Sequence, residues 1–220
     1  MIILPGDWGE VTHQLTKKYG TTFAVLNMAN AHVPGGGYLE GSVAQEENMF
    51  RRTDCHFSIG PAELGPDQRH YPAEMTDLLN ARGGRVYLDL DPRVCVRGPE
   101  DRHAQDLGYP WLNPREYFPF YELRAAAVDL RDPWLRFDPA ECRRRIDAQL
   151  DTLIEAKQRY AVLSAHGCGA FRNPTIPVAQ AYRDALAQRR DHFDLVVFAI
   201  FYAGYGPDNA AGFEQVFSSP

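Results

Sequence analysis

Neither a Cys-x-x-Cys nor a His-x-x-His pair occurs in the chain; its four cysteines, Cys55, Cys95, Cys142 and Cys168, stand far apart. That spacing excludes the common thiolate zinc sites and dithiol redox motifs, so no metal and no cofactor are expected. Scattered thiols suit a reducing cytoplasm. No apolar run approaches the ~20 residues of a membrane span. The start, "MIILPGDWGEV", lacks the basic region and long apolar stretch of an export signal. The formal net charge is −6 with no long block of like charge, which argues against a phosphate-coating surface for duplex nucleic acid. Gly-x-Gly-x-x-Gly and Gly-Lys-Ser/Thr are missing too, so Rossmann dinucleotide binding and nucleoside triphosphate hydrolysis lose support. Internal repeats and low-complexity tracts are absent.

What is present is an ordinary globular balance, 45% apolar and 24% charged over 220 residues, read as a single monomeric domain spanning 1–220. "TTFAVL" (Thr21 to Leu26) reads as a buried strand running into a long glycine-rich loop. Ser42 with Gln45 three residues later fits a capping box, predicting a helix from Val43 to about Arg52. Residues 60–121, rich in Pro, Gly and aromatics, are expected to form an irregular, insertion-like region with one strand at Arg85 to Leu90. "ELRAAAVDL" (Glu122 to Leu130) reads as another buried strand. Asp138 then caps a helix that Pro139 opens, with Cys142, Ile146, Leu150 and Ile154 four apart. "YAVLSA" (Tyr160 to Ala165) is a strand leading into "HGCGAFRNPT", Thr175 caps a helix to about Arg189, and "FDLVVFAIF" (Phe193 to Phe201) is the last strand. Continuous apolar strands alternating with amphipathic helices imply an α/β sheet covered on both faces.

Binding sites in such folds lie at strand ends, and two glycine loops, Pro34 to Gly41 and Gly167 to Gly169, each follow a strand and precede a helix. Glycines there can bring backbone amides close to phosphate oxygens; plain turns are the alternative. After the first loop comes Gln45-Glu46-Glu47. At about 100° per residue, Val43, Glu47, Phe50 and Asp54 share a helix face, with Glu46 on the other side of Phe50. A carboxyl beside apolar groups is raised in pKa and can serve as a general acid. Acids in a first turn can equally be there for the helix dipole.

Asn27 and Asn30 end the first strand where polar groups would face a ligand, or else satisfy loop backbone. Phe171 could stack on a sugar or plug the core. His32, His56 and His166 lie near the site without ligand spacing. Cys168, two residues from His166, has no evident orienting third group and makes a poor nucleophile candidate.

The triple glycine Gly35-Gly36-Gly37, seven residues, then Gln45-Glu46-Glu47 resembles the signature of the bacterial-type poly(ADP-ribose) glycohydrolases, a branch of the macrodomain fold. "VLNMANAHVPGGGYLEGSVAQEE" is similar to that family's strand, asparagine loop and catalytic helix. "LSAHGCGAFRNPTIPVA" is similar to its diphosphate-binding loop. "FDLVVFAIF" with Asn209 and Phe213 resembles its last strand and C-terminal helix. Residues 60–121 have no counterpart in this resemblance.

The resemblance implies a macrodomain-like three-layer α/β/α sandwich with a mixed central sheet. It implies that Glu47 is the catalytic acid, that Glu46 binds a ribose hydroxyl and helps orient it, that Phe171 presses on the terminal ribose, and that Asn30 contacts that ribose. The binding set it suggests is Asn27, Asn30, Gly35, Gly36, Gly37, Gln45, Gly167, Cys168, Gly169, Ala170 and Phe171. The expected activity is hydrolysis of poly(ADP-ribose) to ADP-ribose, the partners being ADP-ribose, the polymer or an ADP-ribosylated protein. Alternatives are a mono(ADP-ribosyl) hydrolase acting on a side chain such as arginine, a silent ADP-ribose reader, or a domain binding another nucleotide.

Overall fold

Apolar runs fold here as strands whose two faces are both covered. The computed structural model describes residues 1–220 except 61–62, 102, 104–107, 203, 205 and 219–220. In chain order the elements are β1 (Ile2–Pro5), α1 (Trp8–Tyr19), β2 (Phe23–Met28), α2 (Gln45–Arg52), α3 (Ala73–Leu79), β3 (Tyr87–Leu88), β4 (Arg93–Cys95), β5 (Phe118–Ala125), α4 (Pro139–Glu155), β6 (Tyr160–Leu163), α5 (Thr175–Ala187), β7 (Leu195–Ile200) and α6 (Asn209–Phe217). Among the described residues the strands form one sheet ordered β1-β7-β6-β2-β5-β3, with β4 also paired to β5. β1, β7, β6, β2 and β5 run parallel, whereas β3 and β4 are antiparallel to β5. The sheet is thus mixed, as expected.

Strand alternation assigns each side chain to a layer. Phe23 and Val25 of β2, Phe120 of β5 and Val197 of β7 meet Trp8, Val11 and Leu15 of α1 and Met49 and Phe50 of α2. Leu26, Leu123, Leu163 and Phe198 meet α4, α5 and α6 on the opposite face, through Ile146, Leu150, Val178, Tyr182 and Phe213. Two helical layers therefore enclose the sheet. Burial of a large apolar side chain is worth about 1.5–3 kcal/mol. Met49 and Phe50 can therefore hold the eight-residue α2, which is too short to persist alone. The same alternation sends Asn27, Glu122 and Arg124 toward the α2 layer, behind the expected catalytic helix.

Several boundaries move. β2 starts later and continues to Met28, so Asn27 is inside the strand. β5 begins at Phe118 rather than Glu122 and stops at Ala125; β4 pairs alongside its first residues, with Val94 opposite Pro119. The strand expected at 85–90 pairs only at Tyr87 and Leu88. The chain leaves the ladder around Pro92 and rejoins the same partner as β4, in the same direction and nearer the start of β5. Residues 60–121 thus carry α3, β3 and β4, the two strands joining the main sheet rather than standing apart. β6 ends at Leu163 and β7 covers 195–200.

Asp138 and Pro139 open α4 as expected, the Asp138 carboxylate accepting from the Ala140 amide at 2.9 Å. Thr175, however, is the first residue of α5, behind Pro174; its hydroxyl bonds Asn209 at 2.5 Å, tying α5 to α6. α5 ends at Ala187, before Arg189. At the chain's start β1 and α1 form with no expectation for them. Asp7 caps α1 by accepting from the Gly9 and Glu10 amides.

Candidate functional site

β2 delivers the chain to the site, and Gln45 anchors the acid-bearing helix to it. β6 pairs with β2 only at Ala24 and Val25. The Gln45 carboxamide takes over beyond that point, accepting from the Met28 amide and donating to the Leu26 carbonyl, each at 2.8 Å. One side chain thereby docks the start of α2 against the strand. Because Gln45 is committed there, the expected Ser42 capping box does not form. Ala44 occupies the N-cap position, and the half of the box that exists runs from Glu47, whose Oε2 accepts the Ala44 amide at 3.2 Å.

The expected face of Val43, Glu47, Phe50 and Asp54 holds only at its centre. Val43 precedes the helix and is 60% exposed. Asp54 lies beyond the last turn and accepts the Val94 amide of β4 at 2.7 Å.

Both glutamates turn back into the glycine loop. Glu46 accepts the Asn30 amide at 2.7 Å and the Gly35 amide at 3.2 Å. Glu47 accepts the Gly37 amide at 3.1 Å. The Gly36 amide goes to the Val33 carbonyl at 3.0 Å. The three consecutive glycine amides are therefore spent inside the protein, two on the carboxylates, and not held open for a diphosphate. Asn30 acts through its side chain as a turn-former, its Oδ1 accepting the His32 and Val33 amides. Asn27 is wholly buried, its Nδ2 donating to Glu122 at 2.7 Å; it lies behind the site and does not face a ligand.

Burial separates the two acids. Glu46 is 3% exposed and Glu47 9%. Burial pushes the Glu46 carboxyl well above its usual range; the Asn30 amide opposes this, the charges of Glu47 and Glu122 add to it, and Arg124 counters it. Beneath Glu46, Arg124 is held by Glu122 at 2.8 and 2.9 Å, by Ser58 at 2.9 Å and by Tyr71 at 3.3 Å, with the Tyr87 ring 4.8 Å away. Although burial opposes its charge, Glu122 keeps the guanidinium firmly protonated. Ser58, Tyr71 and Tyr87 fall in or beside the segment expected to be irregular. Their polar network is what braces the acid helix from behind.

The second loop differs from the first. Gly167 adopts φ +74°, and a Cβ there would fall 2.4 Å from the Cβ of Ala127 and 2.7 Å from Asn173 Nδ2. Asn173, absent from the residues expected at the site, spans the loop by donating to the Val128 and Gly167 carbonyls at 2.8 and 3.1 Å. Its signal was the Asn-Pro step before α5. Cys168 points away, buried, with its thiol pushed up to about 12 by burial, which suits neither nucleophile nor ligand contact. Gly169 and Ala170 are exposed. Among the described residues, the amides of Gly169, Ala170 and Phe171 have no protein acceptor. Here, not at the triple glycine, lie amides free for an anion.

Phe171 is half-buried, and its carbonyl accepts the Leu130 amide at 3.0 Å, joining this loop to the one after β5. Arg131 lies over its ring at 5.1 Å. Asp129 holds Arg131 above the ordinary guanidinium value, first by hydrogen bond and then by charge; partial burial opposes this, and Glu47 adds to it by charge.

Of the histidines, His166 is buried behind the loop. Burial, with the Arg145 charge, drives its pKa down to about 3, so it is neutral. His56 pairs with the Tyr38 hydroxyl. Among the described residues no three His, Cys, Asp or Glu side chains are grouped to hold a metal, and no helix is long and apolar enough to cross a membrane.

The segment bearing the triple glycine and the two glutamates matches a family model, that of the microbial-type PARG catalytic domain, over residues 3–75. No curated protein sequence matches the chain. Among solved structures, poly(ADP-ribose) glycohydrolase from Deinococcus radiodurans in complex with ADP-ribose is similar at 25% identity and TM-score 0.69, over 99% of this chain and 83% of that one. The enzyme from Thermomonospora curvata bound to the inhibitor ADP-HPD is similar at 24% identity and TM-score 0.70, over 97% of this chain and 77% of that one. The resemblance to the bacterial-type poly(ADP-ribose) glycohydrolases is borne out, in the family model for the first third of the chain and in fold for nearly all of it.

Proposed function

We propose that this chain, similar as it is to the microbial-type poly(ADP-ribose) glycohydrolases, is a glycosidic hydrolase that releases ADP-ribose from poly(ADP-ribose). The observation that carries the reading is the pair of glutamates converging on the glycine loop, with Glu47 the more exposed of the two. A domain that only binds ADP-ribose has no need of two adjacent acids held in this way.

Glu47 gives its proton to the oxygen leaving the anomeric carbon, the carbon–oxygen bond breaks with its electron pair going to that oxygen, and an oxocarbenium-like state develops. Water then attacks the anomeric carbon and yields a proton to the Glu47 carboxylate, which restores the acid. One residue serves as acid and then base, in contrast to enzymes that divide the roles between two carboxylates. Its bonds to the Gly37 and Ala44 amides fix the carboxyl in place.

Glu46, closed in by Asn30 and Gly35, orients the loop around the sugar and offers a hydroxyl contact. Gly169, Ala170 and Phe171 supply amides to the diphosphate, and the Phe171 ring packs on the terminal ribose. Four free cysteines support a cytoplasmic setting. The deciding assay incubates the protein with poly(ADP-ribose) and, separately, with arginine-, serine- and glutamate-linked ADP-ribosylated proteins. Free ADP-ribose from the polymer is expected; release only from a protein-linked substrate would replace the polymer reading with a mono(ADP-ribosyl) hydrolase.

A further inference from the structure

We infer that Arg131 is a substrate-binding residue whose guanidinium donates to a phosphate oxygen of the diphosphate held at the second glycine loop. The inference rests on the proposed ADP-ribose specificity.

A surface arginine ordinarily samples many rotamers, and fixing it costs side-chain entropy. Arg131 is already fixed. Its Nε and Nη2 fork onto Asp129, at 2.8 Å to Oδ1 and 2.5 Å to Oδ2, while its plane lies over the Phe171 ring at 5.1 Å. The remaining nitrogen, Nη1, has no protein acceptor among the described residues. Asp129 occupies the fork with which arginine would grip a phosphate in two bonds, so Arg131 has a single nitrogen, Nη1, to offer in a charge-assisted bond.

Its position suits that use. The Leu130 amide bonds the Phe171 carbonyl, so Arg131 is tied beside the loop whose amides at Gly169, Ala170 and Phe171 lack acceptors. Asp129 is flanked by Arg172 as well, and both arginines hold its carboxylate below the usual range, Arg131 first by hydrogen bond. Arg131 and Arg172 thus bring two cations to this corner, facing Asp129, Glu47 and the neighbouring Asp132, in a chain of net charge −6. The amides alone provide dipoles; Arg131 provides the charge that a diphosphate needs in order to leave water. The ordinary explanation, a solvated ion pair in a turn, leaves ADP-ribose affinity untouched.

Calorimetry with free ADP-ribose separates the two. Arg131 is half exposed, so Arg131→Ala is expected to keep the wild-type melting temperature. Loss of a hydrogen bond to a charged group should weaken ADP-ribose binding by about 10-fold or more. It should also flatten the dependence of affinity on salt, and Arg131→Lys should recover part of the loss. If the wild type binds ADP-ribose and Arg131→Ala binds it equally well, the assignment of Arg131 is wrong while the functional reading stands. If the wild type does not bind ADP-ribose at all, the functional reading itself fails.

Discussion

Gly36 lies hard against the Glu47 carboxyl: a Cβ on Gly36 would fall 2.5 Å from Glu47 Oε1, and 3.1 Å from Glu46 Oε2. Gly36 also sits at φ +57°, where an L side chain is strained. The glycine is therefore required by the acids and by the backbone at once. Gly36→Ala is expected to fold with a loss of about 1–2 kcal/mol, yet to lose most hydrolysis because the methyl displaces the Glu47 carboxyl. Denaturant titration and an ADP-ribose release assay on the same preparation check both halves.

Gln45 stands in for the strand backbone that β6 no longer provides. A glutamate there can still accept from Met28 but cannot donate to the Leu26 carbonyl, and it adds a carboxylate beside Glu46 and Glu47. Gln45→Glu should cost about 1–3 kcal/mol, measured by urea unfolding. It should slow hydrolysis through misplacement of α2, with ADP-ribose binding weakened less than turnover.

Glu46 sets a pH dependence of stability. Its folded-state pKa lies well above the model-peptide value of 4.5, so between the two values the native state holds a proton that the unfolded chain has lost. Stability therefore falls as pH rises through that interval and levels off above the folded pKa. Glu46→Gln carries no such proton. The stability of the wild type minus that of Glu46→Gln should decline with pH from about 4.5 upward, in paired denaturation curves; a flat difference would show that Glu46 is not held protonated.

Much of this site was legible because its chemistry is local in sequence. Glu46 and Glu47 lie a short way after the triple glycine, and their burial next to Phe50 is a consequence of helix geometry. What escaped was non-local. Gln45 read as a capping residue because nothing in its neighbourhood reveals that β6 leaves β2 after Val25. The triple glycine read as a phosphate cradle because only the folded loop shows its amides turned onto the two acids. Arg124 and Tyr71 come together across 53 residues, so no spacing rule could pair them. Pro119 hid the start of β5, since proline is rare inside strands except where pairing permits it. α1 is the exception, since Asp7, Trp8, Val11 and Leu15 carry a local helical spacing.

The central claim is that one proton on Glu47 drives the reaction, and Glu47→Gln tests it most directly. The amide keeps the shape and an acceptor for the loop but has no proton to give. Measured side by side, ADP-ribose binding by calorimetry should stay near the wild-type value while release of ADP-ribose from poly(ADP-ribose) falls by about 100-fold or more. A variant that binds ADP-ribose and still hydrolyses the polymer at close to the wild-type rate would contradict the account.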